Sequence, residues 1–150
     1  MRIGIDLHGT LDKVPELFNL IINDYLEDGH EVYIISGSEK EKIKKELERF
    51  NINVTDIYSC IDFLKQKNIS YWYDKNKEFW CSENIWWESK ANLCFENKIN
   101  ILIDDKREYQ KYFTINHPTK FILFDNNITE SIKNLNNICN IKNYFKSYTI

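Results

Sequence analysis

The chain is poor in the residues that break folds or staple them. Two prolines and four glycines in 150 residues exclude a collagen-like or turn-dominated architecture. Its four cysteines, Cys60, Cys81, Cys94 and Cys139, stand far apart, with no CxxC pair and no Cys/His cluster at zinc spacing. That excludes a zinc motif, and free thiols in a reducing cytoplasm are the plain reading. No apolar run approaches the roughly 20 residues needed to cross a bilayer, so no membrane partner is expected. The opening MRIGIDLHGT has neither the apolar stretch nor the small-residue cleavage site of a secretory signal, which again points to a cytoplasmic protein. An excess of either charge is missing too. Twenty basic residues against 23 acidic ones give −3, too little to draw the whole molecule onto nucleic acid or anionic lipid. One alanine among many Ile, Asn and Lys reflects AT-rich coding, a property of a genome and not of a function.

What is present describes one ordinary domain. Hydrophobic residues make up 43% and charged residues 29%, near globular averages. A chain this long buries about two thirds of the surface its unfolded form exposes. Strands and helices alternate along it. Arg2–Leu7 is a short apolar run fit for a buried strand. Pro15 suits the first turn of a helix whose Leu17, Phe18, Ile21, Ile22, Tyr25 and Leu26 share one face, with Gly29 as its stop. Glu31–Ile35 is a second strand, and Ser38 is placed to cap a charged helix from Glu39 to Phe50. Residues 51–57 read as a short strand or turn, and Cys60–Lys67 as a helix. Residues 70–89 carry seven aromatics without a clean period and read as a loop, hairpin or small insertion. A helix opening at Lys90, a strand over Ile99–Asp105, a helical turn at Tyr109–Phe113 and a strand at Phe121–Phe124 follow. Residues 126–150 are Asn-rich, with Ile128, Ile132 and Leu135 at helical spacing. The expectation is an α/β fold, a Rossmann-like three-layer sandwich with a mostly parallel sheet.

Ligands of such sheets sit beyond the carboxyl ends of the strands, and that is where this sequence keeps its reactive residues. Asp6 closes the first strand before a tight LHGT turn; a carboxylate there can attack phosphorus or hold a cation. Gly9 and Thr10 offer backbone N–H groups to a phosphate. Ser36 and Gly37 end the second strand at a helix start, a ready anion site. Asp104 and Asp105 repel one another, a repulsion a bound Mg²⁺ relieves. Neighbours on an extended strand point oppositely, so one of the two is expected as the direct ligand. Lys90 can neutralise phosphate and carboxylate together. Each also has a plainer use, as a cap, a solvated strand end or a surface lysine.

Their order carries more than any one of them. D-x-H-G-T-L, a strand ending S-G, a helical Lys and a strand ending D-D together resemble the haloacid dehalogenase-like (HAD) hydrolase superfamily over residues 3–105. The resemblance implies a HAD-like core without a large cap, with Asp6 as nucleophile, Ser36 as phosphate-binding hydroxyl, Lys90 as the third motif and ILIDD as the fourth. It implies Mg²⁺ held by Asp6, the His8 backbone carbonyl and Asp105, with Asp104 behind or sharing that role. Phosphatases of the family carry a second aspartate where this chain has His8, and histidine can serve as both acid and base near neutrality. Asp12 is placed to orient His8 or to hold the turn. WWESK…LIDDK also looks like the 5′-nucleotidase branch.

The expected activity is therefore a Mg²⁺-dependent phosphomonoesterase acting on a phosphorylated small molecule, a nucleotide or a nucleic-acid end. The aromatics of 70–89 are suited to stacking on bases, to a core, or to a homo-oligomer contact. Two other readings stay open: a phosphate- or nucleotide-binding protein impaired by His8, and an interaction protein built round the Trp-rich segment.

Overall fold

The computed structural model describes residues 1–124; the helical spacing anticipated within 126–150 lies outside them. Five strands form one parallel sheet in the order β3-β2-β1-β6-β7: β1 (Arg2–Ile5), β2 (Glu31–Ser36), β3 (Asp56–Ser59), β6 (Ile101–Asp104) and β7 (Lys120–Leu123). The remaining pair, β4 (Tyr71–Tyr73) and β5 (Phe79–Cys81), makes a separate antiparallel hairpin. The helices are α1 (Pro15–Glu27), α2 (Lys40–Phe50), α3 (Cys60–Lys65), α4 (Glu83–Glu96) and the short α5 (Arg107–Gln110).

Alternation along the strands makes the three layers. Ile3, Ile5, Val32, Ile34, Ile101 and Ile103 face Phe18, Ile21 and Ile22 of α1 and Ile43 and Leu47 of α2 in one buried cluster. Their strand neighbours Tyr33, Ile35 and Leu102 turn to the other face and pack with Cys60, Leu93 and Cys94 of α3 and α4. Burial on both faces explains why β1, β2 and β6 read as continuous apolar runs. The fold is thus the α/β three-layer sandwich the alternation predicts.

Several boundaries move. Helix α2 starts at Lys40 with Glu39 at its N-cap and no side-chain cap; Ser38 instead donates its N–H to Ser36 Oγ at 3.3 Å. Lys90 does not open a helix. It lies in the middle of α4, whose first turns take up Trp86 and Trp87. The aromatic segment is therefore a hairpin followed by helix. Its period is hidden because α4 buries Ser89, Lys90, Ala91, Leu93 and Cys94, a mixture of polar and apolar residues that leaves no one-sided stripe.

β1 sits at the centre. The chain winds outward from it through β2 and β3, then returns to pair β6 on its other side. The strand order reverses there, and the carboxyl ends of β1 and β6 flank the crevice where such sheets place their ligands.

Ile34, fully buried in the first cluster, measures the core. Ile34→Ala is expected to cost about 2–5 kcal/mol, read as a lowered urea midpoint with an unchanged slope.

Candidate functional site

Asp6 follows β1, and its N–H donates to the Ile103 carbonyl of β6 at 2.9 Å. Asp104 ends β6, and its carbonyl accepts the Phe124 N–H at 2.9 Å. Sheet hydrogen bonds thus fix both backbones before the side chains are considered. Both carboxylates are buried. Between them comes Lys90 from α4, itself buried, with Nζ 2.7 Å from Asp6 Oδ1 and 2.5 Å from Asp104 Oδ2. The same ammonium stands 4.5 Å from the centroid of the Tyr109 ring, whose π-face adds to its stabilisation.

The second oxygen of Asp104 accepts the Lys106 N–H at 2.8 Å, so both of its oxygens are committed. Asp105 is half-buried beside it. Oxygens of Asp6, Asp104 and Asp105 come within 4.8 Å of one another. The Thr10 hydroxyl reaches both Asp6 Oδ2 and Asp105 Oδ1 at 3.4 Å, long contacts of which its single proton serves one at a time.

The turn after Asp6 follows from this crowding. Gly9 has φ +88°, and a Cβ there would overlap the Asp105 carboxylate, so a side chain is excluded on both counts. Its N–H donates to Asp12 Oδ1 at 2.7 Å. Asp12 therefore holds the turn and does not orient His8, and the Gly9 amide is committed to the turn where it was expected to face a phosphate. His8 is half-exposed, and its Nε2 lies 2.8 Å from Oε1 of Glu46 on α2. Ser36 is fully buried at the end of β2, and a Cβ on Gly37 would lie 2.9 Å from the Trp86 ring.

Burial dominates the electrostatics. It raises the Asp6 carboxyl from 3.8 to about 7; Lys90 opposes the rise, while Asp104 and Asp105 add to it. Burial works against the Lys90 ammonium, but Asp6 and Asp104 outweigh it and hold its pKa well above the ordinary value. Burial also lifts the Cys60 thiol to about 11, which leaves it a core residue and not a nucleophile. Three carboxylates against the Lys90 ammonium and the more exposed Lys106 ammonium, 3.6 Å from Asp105 Oδ2, leave surplus negative charge when ionised. Hard oxygen donors with that surplus fit a divalent cation of the Mg²⁺ or Ca²⁺ type. Asp6 Oδ2 and Asp105 are the oxygens not already held by strong hydrogen bonds.

Asp6, Asp104, Asp105, Lys90 and Thr10 are thus brought into direct contact. Ser36 and Gly37 line the same rim, and His8 sits at its edge. Sequence reasoning missed Glu46 and Tyr109. Glu46 is one charge among many in KEKIKKELERF, and nothing local marks it. Tyr109 was visible only as the start of a helical turn.

No protein-family model matches the chain, and no curated protein matches it. Its fold is similar to a chain in a solved structure described as the "Structure of the Pnkp1/Rnl/Hen1 RNA repair complex", with a TM-score of 0.55 at 16% identity. The match covers 83% of this chain and 42% of that one. At that identity the likeness concerns the fold, and the chain spans less than half its neighbour's length.

Removing the ammonium strands two buried carboxylates. Lys90→Met is expected to lose about 3–5 kcal/mol of stability, measured by denaturant unfolding. The pH dependence has a definite sign. A carboxyl raised in the folded state stabilises least once it is ionised, so without divalent cation the Asp6 contribution falls as pH climbs from about 4 to about 7. A cation that needs the carboxylate reverses this, and Mg²⁺ should raise Tm more at pH 8 than at pH 5.5.

Proposed function

We propose that this chain is a Mg²⁺-dependent phosphomonoesterase of the HAD type, acting on nucleotides or nucleic-acid ends through an aspartyl-phosphate. The observation that carries it is the Lys90 grip. By binding Asp6 Oδ1 at 2.7 Å it leaves Oδ2 turned toward Asp105 and Thr10, a carboxylate oxygen held ready in a pocket of acids.

Asp6 Oδ2 attacks phosphorus in line, and the bond to the leaving oxygen breaks. The His8 imidazolium gives its proton to that oxygen. A water molecule then loses a proton to His8 and attacks the phosphorus, releasing inorganic phosphate and restoring Asp6. Lys90 and the Ser36 hydroxyl hold the transferring oxygens, with the Thr10 amide on the same turn. Asp105 and the His8 carbonyl, beside the Asp6 carboxylate, would hold Mg²⁺, which would supply compensation for the phosphate charge; Asp104, with both oxygens hydrogen-bonded, anchors Lys90. Glu46 orients the imidazole through Nε2, which leaves Nδ1 to exchange the proton. The neighbour's description as an RNA repair complex supports nucleic-acid ends as the substrate class.

A second reading keeps the binding and drops the turnover. It is favoured by His8 itself, which is 44% exposed with its imidazole engaged by Glu46. On that reading His8→Asp creates or raises activity.

Incubation with p-nitrophenyl phosphate and a nucleotide panel should release phosphate with Mg²⁺, none with EDTA, and none after Asp6→Asn. Absence of release from every substrate would refute the phosphatase. Glu46→Gln should slow p-nitrophenyl phosphate turnover, whose leaving group needs no proton, only through the water step that His8 also serves. It should slow an alkyl phosphate by about tenfold or more.

A further inference from the structure

We propose that Lys106 is the exchangeable counter-ion of the acid cluster: its ammonium pairs with Asp105 until a divalent cation takes that carboxylate, and then turns to the substrate's phosphate. The proposal rests on the Mg²⁺ site of the proposed phosphatase, and its test needs no turnover.

Two lysines meet the three acids, and they are held in opposite ways. Lys90 is buried, and its Nζ makes two short hydrogen bonds, to Asp6 and to Asp104. Moving it would strand two buried carboxylates. Lys106 Nζ stands 3.6 Å from Asp105 Oδ2, on a side chain that is 54% exposed. That distance is too long for a hydrogen bond. Attraction between charges alone keeps the ammonium there, and an exposed pair of this kind is weak.

The main chain beneath Lys106 does not share this freedom. Its N–H donates to Asp104 Oδ1 at 2.8 Å, and Asp104 closes β6. A fixed root under a flexible four-carbon stem lets the ammonium change partner without leaving the rim of the site.

Asp105 is the complementary half. Its carboxylate lies against Gly9 and keeps 19% exposure. Its polar contacts among the described residues are the Thr10 hydroxyl, 3.4 Å from Oδ1, and the Lys106 ammonium. Neither is a strong hydrogen bond. A hard divalent cation that binds the oxygen directly therefore displaces an ammonium held only at a distance. Once Asp105 serves the cation, like charge drives Lys106 off. Its tether keeps it within a side chain's length of the cluster, where a phosphate held by Lys90 and the cation supplies the missing anion. Lysine suits that contact as a mobile point charge. The same residue thus acts with opposite sign on two ligands, competing with the cation and assisting the anion.

The test uses the full chain and isothermal titration calorimetry, first with MgCl₂ alone and then with inorganic phosphate at saturating Mg²⁺. Lys106→Gln should bind Mg²⁺ about two- to fivefold more tightly than wild type, the size of an exposed ion pair. That gain should shrink in about 0.5 M NaCl, which screens the pair. With Mg²⁺ bound, the same variant should hold inorganic phosphate at least about threefold more weakly. Lys106→Arg, which keeps the charge, should stay near wild type in both titrations. Lys111→Gln removes an equal charge from an exposed lysine whose ammonium lies 5.1 Å from the Tyr112 ring centroid, and it should change neither. Mg²⁺ binding that Lys106→Gln leaves unchanged or weakens overturns the counter-ion. Phosphate binding that it leaves unchanged overturns the exchange. Absence of Mg²⁺ binding by wild type and variant alike overturns the proposal together with the metal site. Opposite shifts in a protein without turnover support it and remove only the phosphatase.

Discussion

The architecture of the site depends on one bridge. Lys90 reaches from a helix on one face of the sheet to carboxylates on two different strands, Asp6 after β1 and Asp104 at the end of β6. A buried ammonium without partners would be prohibitively costly, and so would either acid alone. Together they hold each other at the one point where the sheet changes direction. Lys90 then sets which oxygen of Asp6 is spoken for and which is free. Its second contact ties Asp104 down, so that Asp105 is the acid left facing the turn. Tyr109 completes the wall behind the ammonium.

The packing around this bridge leaves little latitude. The Asp6 and Asp104 backbones belong to the sheet ladder, and the Gly9 turn is squeezed against Asp105. Most of what catalysis of phosphoryl transfer demands is positioning and charge compensation. On the proposed phosphatase reading, a set of charges fixed by sheet hydrogen bonds provides that without a moving part.

Much of this was legible beforehand, for physical reasons that differ by element. The parallel sheet announced itself through apolar runs at residues 2–7, 31–35 and 99–105, because strands covered on both faces have no polar alternation to blur them. Asp6, Ser36 and Asp104 stood out because polar residues at the ends of such runs have few structural excuses. Lys90 was visible only through the order of its companions. Its place in mid-helix was not, since α4 buries a lysine and a serine among aliphatic residues and so erases the stripe that marks a helix. Glu46 was out of reach altogether. Its meeting with His8 is a long-range contact between a turn and the face of a helix, and nothing within a few residues of either encodes it. For Asp12 two roles stood open, orienting His8 or holding the turn, and only the folded turn, where it accepts the Gly9 N–H, selects the second.

The missing side chain at position 37 has an optical consequence. Trp86 rests one edge in that notch beside the strand-end loop and offers its other side to the ring of Phe79. A single indole therefore spans two neighbourhoods, the mouth of the crevice and the root of the aromatic arm. With Trp72, Trp80 and Trp87 replaced by Phe, its emission is an intrinsic gauge of an arrival at either place, without any dye attached.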